Sequence, residues 1–156
     1  MMVLGIDPGP KQSAYLIWDT EEARVQAHGI LDNMTLREWL MGELSFPTVP
    51  VIEMVQSFGM PVGKEIFETV LFIGRMIEIF RGNANLVYRK DIKTHYCMTT
   101  RATDANIRQA LIDRFGPPGT KKEPGKLYGI KKDEWSALAL AVYYTDKLSL
   151  ASKVQL

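Results

Sequence analysis

The chain has 156 residues, 46% apolar and 24% charged, with a formal net charge of +1, the profile of a soluble globular protein folded as one domain over residues 1–156. Its single cysteine, Cys97, excludes an internal disulfide and argues against a cysteine-based zinc site, which fits a reducing cytoplasm. No apolar run approaches the ~18 residues of a membrane span, and the first residues do not read as a signal peptide.

Three strands come first: "MMVLGID", "SAYLIWD" and "ARVQAHGIL". The connections "PGPK" and "TEE" are short, so these strands form an antiparallel meander. "NMTLREWLMGEL" has helical spacing, with Leu36, Leu40 and Leu44 on one face. "TVPVIEMV" is a fourth strand ending near Glu53. "KEIFETVLFIGRMIEIF" is a long amphipathic helix whose apolar stripe is Ile66, Val70, Ile73 and Ile77, with Gly74 inside it. "NLVYRK" is a fifth strand. "TDANIRQALIDRFG" is a helix with Thr103 or Asp104 as N-cap and Gly116 as terminator. A Gly/Pro/Lys loop, "GPPGTKKEPGKLYGIKK", leads into the last helix, "DEWSALALAVYYTDKL". This order predicts an α/β fold: a mixed five-stranded sheet, a three-strand meander plus parallel strands, with helices on both faces. A helix lies between the meander and the fourth strand, so the first and fourth strands can pair in parallel. That pairing brings Asp7 and Glu53 to one sheet edge.

The ordered set "GIDPG", "VIE" and "KKDEWSALALA" resembles the RuvC-like Holliday-junction resolvases of the RNase H-like (retroviral integrase) superfamily. The resemblance runs from Leu4 to about Tyr144, and "GTKKEPGKLYGIKKDEWSALALA" is similar to a phage-type branch. It implies an RNase H-like fold and a structure-selective DNA endonuclease that resolves Holliday junctions or other branched DNA. It also implies a homodimer, no membrane and no nucleotide cofactor. The cofactor it implies is a pair of Mg²⁺ ions, with Mn²⁺ an acceptable substitute. Phosphodiester hydrolysis needs an activated water and relief of charge on the phosphate and leaving oxygen, and two Mg²⁺ about 4 Å apart supply both. Mg²⁺ prefers oxygen ligands, so Asp and Glu side chains must converge. By resemblance Asp7 bridges the two ions, Glu53 binds one and Asp133 the other.

The family places a second acid three residues after the first on the last helix; here that position is Ser136. Glu134 is rotated about 100° from Asp133 and faces elsewhere unless the helix register differs. Asp104 and Glu68 are the remaining candidates for an extra ligand, although Asp104 reads first as a helix N-cap and Glu68 as a solvent-facing residue.

Residues 1–88 hold 6 Lys/Arg against 11 Asp/Glu, whereas residues 89–132 hold 11 against 4. The basic segment is either a solvated face or a phosphate-binding surface. Its candidates are Arg89, Lys90 and Lys93 after the fifth strand, and Lys121, Lys122, Lys126, Lys131 and Lys132 before Asp133; Lys93 matches a junction-contacting position of the family. Tyr128 either stacks on a base or packs the loop down. In "SFGMPVGK", after Glu53, Phe58 and Met60 are candidates for insertion at the junction, with core packing as the alternative. Gly74 permits close approach of another backbone, and the family's dimers pack on this helix. His28 and His95 lack partners for a catalytic triad and read as structural. No GxxxxGK[ST] loop is present. The competing functional reading is a non-catalytic junction-binding module with a degraded site.

Overall fold

The computed structural model describes residues 1–42 and 48–154. Its elements are β1 (Met2–Asp7), β2 (Gln12–Asp19), β3 (Arg24–Asp32), α1 (Asn33–Gly42), β4 (Val49–Met54), α2 (Lys64–Ile79), β5 (Asn85–Tyr88), α3 (Arg89–Cys97), α4 (Asp104–Phe115) and α5 (Glu134–Val154). The sheet order is β3-β2-β1-β4-β5. β1–β2 and β2–β3 pair antiparallel, and β1–β4 and β4–β5 pair in parallel. The mixed sheet and the parallel β1–β4 pair are those expected from the order of elements.

Alternation along the strands divides the core into two layers. Val3, Leu16, Trp18 and Val51 face α5, together with α3 and α4. Leu4, Ile6, Ile17 and Ile52 face α1 and α2, where they meet Leu36, Leu40, Phe72 and Met76. Burying side chains of this size contributes roughly 1.5–3 kcal/mol each before conformational entropy is subtracted. The same alternation puts Gly5 and Asp7 on Val3's side of β1, and Glu53 on Val51's side of β4. Both carboxylates therefore face the layer that contains α5.

α5 reaches β1 because both surfaces are small where they cross. A Cβ on Gly5 would lie 2.0 Å from the Ala137 carbonyl oxygen, so only glycine fits there. This contact sets the first turn of α5 above the end of β1.

Several local expectations need correction. Arg89 and Lys90 do not extend the fifth strand; they open α3, a helix the sequence reading omitted. Thr103, not Asp104, caps α4, through a reciprocal capping box with Asn106. α2 buries Thr69, Phe72, Ile73 and Met76, while Ile66 and Val70 are exposed. The helix is apolar on more than one side: Phe72, Ile73 and Met76 face the sheet, while Phe67, Val70 and Leu71 face out. Leu44 lies outside the described residues. No helix among the described residues is long and apolar enough to cross a membrane.

Candidate active site

Asp7 ends β1, and the turn after it is held by a small polar network. Gly9 N donates to Ser13 Oγ (3.2 Å), the Ser13 hydroxyl donates to Asn33 Oδ1 (2.7 Å), and Asn33 Nδ2 donates to the Gly9 carbonyl (2.9 Å). A Cβ on Gly9 would sit 2.4 Å from the Gln12 carbonyl, so this turn requires glycine. Ile6 is in register with Ile52, which puts Asp7 and Glu53 one residue further along on adjacent strands. Asp133 stands immediately before α5; its carbonyl accepts from Ser136 N (3.0 Å) and Ala137 N (3.2 Å).

The electrostatics tie these groups together. Burial, then the charges of Glu53 and Asp133, push the Asp7 carboxyl up to about 7, against the pull of Arg89 and of a hydrogen bond from the Ser136 hydroxyl. Burial also raises Glu53, opposed chiefly by Arg89. Arg89 opens α3, directly after the strand that pairs with β4, and this placement explains its reach. Its Nη1 donates to Glu53 Oε2 (3.2 Å) and to Ser136 Oγ (3.3 Å), and its Nη2 pairs with Asp104. Asp7, Glu53, Asp133, Ser136 and Arg89 thus form one cluster. Among the described residues, no group of three or more His, Cys, Asp or Glu side chains is drawn together as a ready metal cage. The Arg89 guanidinium stands amid these acids, and the charge of Lys93 also reaches Glu53.

Glu134 is directed away from this cluster. Its side chain is 2% exposed and accepts from Lys131 N (2.9 Å), with His28 Nδ1 also 2.9 Å from the same oxygen. The rotation of one helical position accounts for the separation. His28 therefore has a structural partner, and so does His95, whose Nε2 lies 2.8 Å from Asp146. Asp104 is the first residue of α4 and bonds Arg89 rather than capping the helix. Glu68 pairs with Lys64 one turn earlier, at the surface.

Asp133 and Lys132 line two clefts. One holds Arg89, Asp104 and Ser136; the other holds Gln12, His28, Lys131 and Glu134. Lys121, Lys122 and Lys126 line neither; Lys121 and Lys122 lie in the loop closed by the Gly119–Pro124 bridge and Lys126 just after it, all three exposed. Lys90, Lys93 and Arg89 share a third cleft with Phe58. Phe58 and Met60 are each 75% exposed, so the alternative of core packing does not hold. Tyr128 is exposed as well. The sequence reading missed Arg89's reach to Glu53 and the presence of Arg108 and Trp135 in the first cleft. The only sequence signal for these was their proximity to Asp104 and Asp133.

No protein-family model matches the chain, and no curated protein matches it in sequence. Among solved structures it is similar to Thermus thermophilus RuvC, at 14% identity, TM-score 0.66 and 97% of each chain covered. It is also similar to T. thermophilus RuvC in complex with Holliday junction substrate, at 14% identity and TM-score 0.70, covering 97% of this chain and 96% of that one. The chain has a RuvC-like, RNase H-like α/β fold.

Proposed function

We propose that this chain is a metal-dependent endonuclease that cuts branched DNA, including Holliday junctions, with Asp7, Glu53 and Asp133 as its carboxylate set. The observation that carries the reading is the convergence of three acids, from two parallel strands and the start of α5, with Asp7 pushed up to about 7 by burial and by the other two. Arg89 offsets the repulsion only in part, since Asp7 stays raised beside it, and the acids offer oxygens, the ligand type of Mg²⁺ or Mn²⁺. Asp7, Glu53 and Asp133 would hold the metal, with Ser136 where a fourth carboxylate would stand. When bound, the metal supplies a water nucleophile and charge relief on the phosphate.

The chain's own residues do the rest. Gly9, Ser13 and Asn33 fix the turn that presents Asp7. Arg89 orients Glu53 and Ser136 and places a cation beside the phosphate to be cut. Lys90 and Lys93, with Lys131 and Lys132 on the other side and Lys121 and Lys122 on the loop, neutralise the flanking backbone. Phe58, exposed beside Lys93, would insert at the branch, with Met60 two residues on as the second candidate; its exposure supports this. The fold's likeness to RuvC, one example of which is bound to Holliday junction substrate, supports DNA as the substrate class. The Lys-rich loop favours the phage-type branch.

We extend the reading to a homodimer. α2 exposes Phe67, Val70 and Leu71 on one side, and among the described residues nothing beyond the helix's own backbone and the glycine's chain neighbours comes within 4 Å of a Cβ on Gly74. A two-fold enzyme matches a junction in which two strands are nicked.

The absence of a carboxylate at Ser136, and the arginine among the acids, favour one alternative: a module that binds junctions without cutting them. Incubating labelled four-way junction, matched duplex and RNA–DNA hybrid with the protein in Mg²⁺ or EDTA separates the two. Mg²⁺-dependent junction nicks support the nuclease. Tight binding without nicks under any divalent metal supports the module.

A further inference from the structure

The cleft on the Arg89 side of the three acids has a volume of about 270 Å³ and lies between the starts of α3, α4 and α5. Arg89, Arg108, Lys132, Asp133, Trp135 and Ser136 line it. Asp104 lines it as well, but is committed to Arg89. With Arg89 paired to Asp104 and Glu53, the cations left facing the cleft beside Asp133 and Ser136 are Arg108 and Lys132.

Arg108 is its least explained residue. It is exposed on α4, yet its guanidinium carbon lies 4.7 Å from the centre of the Trp135 ring. Trp135 is buried, two residues after Asp133, and its indole N–H has no hydrogen-bond partner. Packing and the cation–π contact, rather than polar bonds, hold this pair. Stacking uses the flat face of the guanidinium and leaves its N–H edge available. No carboxylate among the described residues forms an ion pair with Arg108. A guanidinium seated over a buried ring, with unspent donors, is suited to two oxygens of one phosphate. Lys132 completes the wall from a left-handed backbone conformation, φ 49°, that a lysine rarely adopts without local constraint.

We propose that Arg108, seated over Trp135, binds the phosphodiester next to the one being cut, and that Lys132 closes on the same backbone from the α5 side. The proposal rests on the nuclease reading above and adds the course of the cleaved strand: past Asp133 and out between α4 and α5. The contact is to backbone only, so it carries no base preference.

The test is fluorescence anisotropy of labelled four-way junctions in EDTA over a salt series, with the full chain, Arg108→Gln and Arg108→Lys, alongside Mg²⁺-dependent cleavage by the full chain. Thermal melts verify that the exposed substitutions leave the fold intact. Arg108→Gln is expected to bind several-fold more weakly, by the same factor on two junctions of different sequence. Its slope of log affinity against log salt is expected to be shallower by about one. Arg108→Lys is expected to restore the slope while recovering only part of the affinity, because a point charge replaces the fork. If the full chain binds and cuts junctions while Arg108→Gln matches it in affinity and slope, the cleft proposal is overturned and the nuclease reading stands. A loss confined to one junction sequence also overturns it, since that marks a base contact. If the full chain neither binds nor cuts junctions, both readings fail together.

Discussion

Asp7 carries a heavy electrostatic burden, set by its burial and by the charges of Glu53 and Asp133. Its ordinary value is 3.8 and the fold holds it up to about 7. Between those values the folded protein keeps a proton that the unfolded chain releases, so metal-free stability falls as pH rises through that window. Asp7→Asn removes the ionisation. In EDTA the variant should be more stable than the parent at pH 8, by roughly 1–3 kcal/mol, and nearly equal to it at pH 4. Denaturant melts at the two pH values check this; a variant less stable than the parent at pH 8 would contradict it. A second prediction separates the neighbours Asp133 and Glu134. Asp133→Asn should abolish cleavage with little loss of stability. Glu134→Gln should keep Mg²⁺-dependent cleavage but lose about 1–3 kcal/mol, because the Glu134 carboxylate is buried against His28 and Lys131 N. The reverse pattern would show that Glu134, not Asp133, is the ligand.

At the scale of elements, the position of the site depends on one close crossing. Gly5 and Ala137 allow α5 to lie against β1, and α5 carries Asp133 and Ser136 to Asp7. Gly5→Ala pushes a methyl group against the Ala137 carbonyl. The cost should be about 1–3 kcal/mol, with cleavage falling by more than stability alone explains. Unchanged denaturation and activity would mean that the crossing has room to relax. The sequence made this level only partly legible. The meander, the parallel β1–β4 pair and the two carboxylates on its edge follow from strand alternation and turn chemistry. α3 was hidden because "RKDIKTHYC" buries only Ile92 and follows a strand without a punctuating glycine or proline. Arg89's contact with Glu53 was hidden for the same reason: it depends on the chain turning into a helix at that residue. The separation of Asp133 from Glu134 was legible, because it needs only the 100° step of a helix.

For the whole molecule, charge and shape point the same way. Asp7 and Glu53 end the adjacent strands β1 and β4, and Arg89, Arg108 and Lys132 line the cleft beside Asp133, an arrangement suited to a polyanion approaching a cation-dependent site. On the other layer, α2 leaves Phe67, Val70 and Leu71 exposed. Phe67→Asp with Leu71→Asp should convert a dimer to a monomer, with the monomer fold preserved. Light scattering at tens of micromolar checks the mass; a monomeric parent chain, with or without junction, would contradict the homodimer. The central claim is the chemistry at Asp7, Glu53 and Asp133. Its most direct test is to incubate a labelled four-way junction with the protein in Mg²⁺ or EDTA, beside Asp7→Asn. Paired symmetric nicks that need Mg²⁺ and vanish in the variant are the predicted result; nicks that persist in Asp7→Asn or in EDTA would contradict the account.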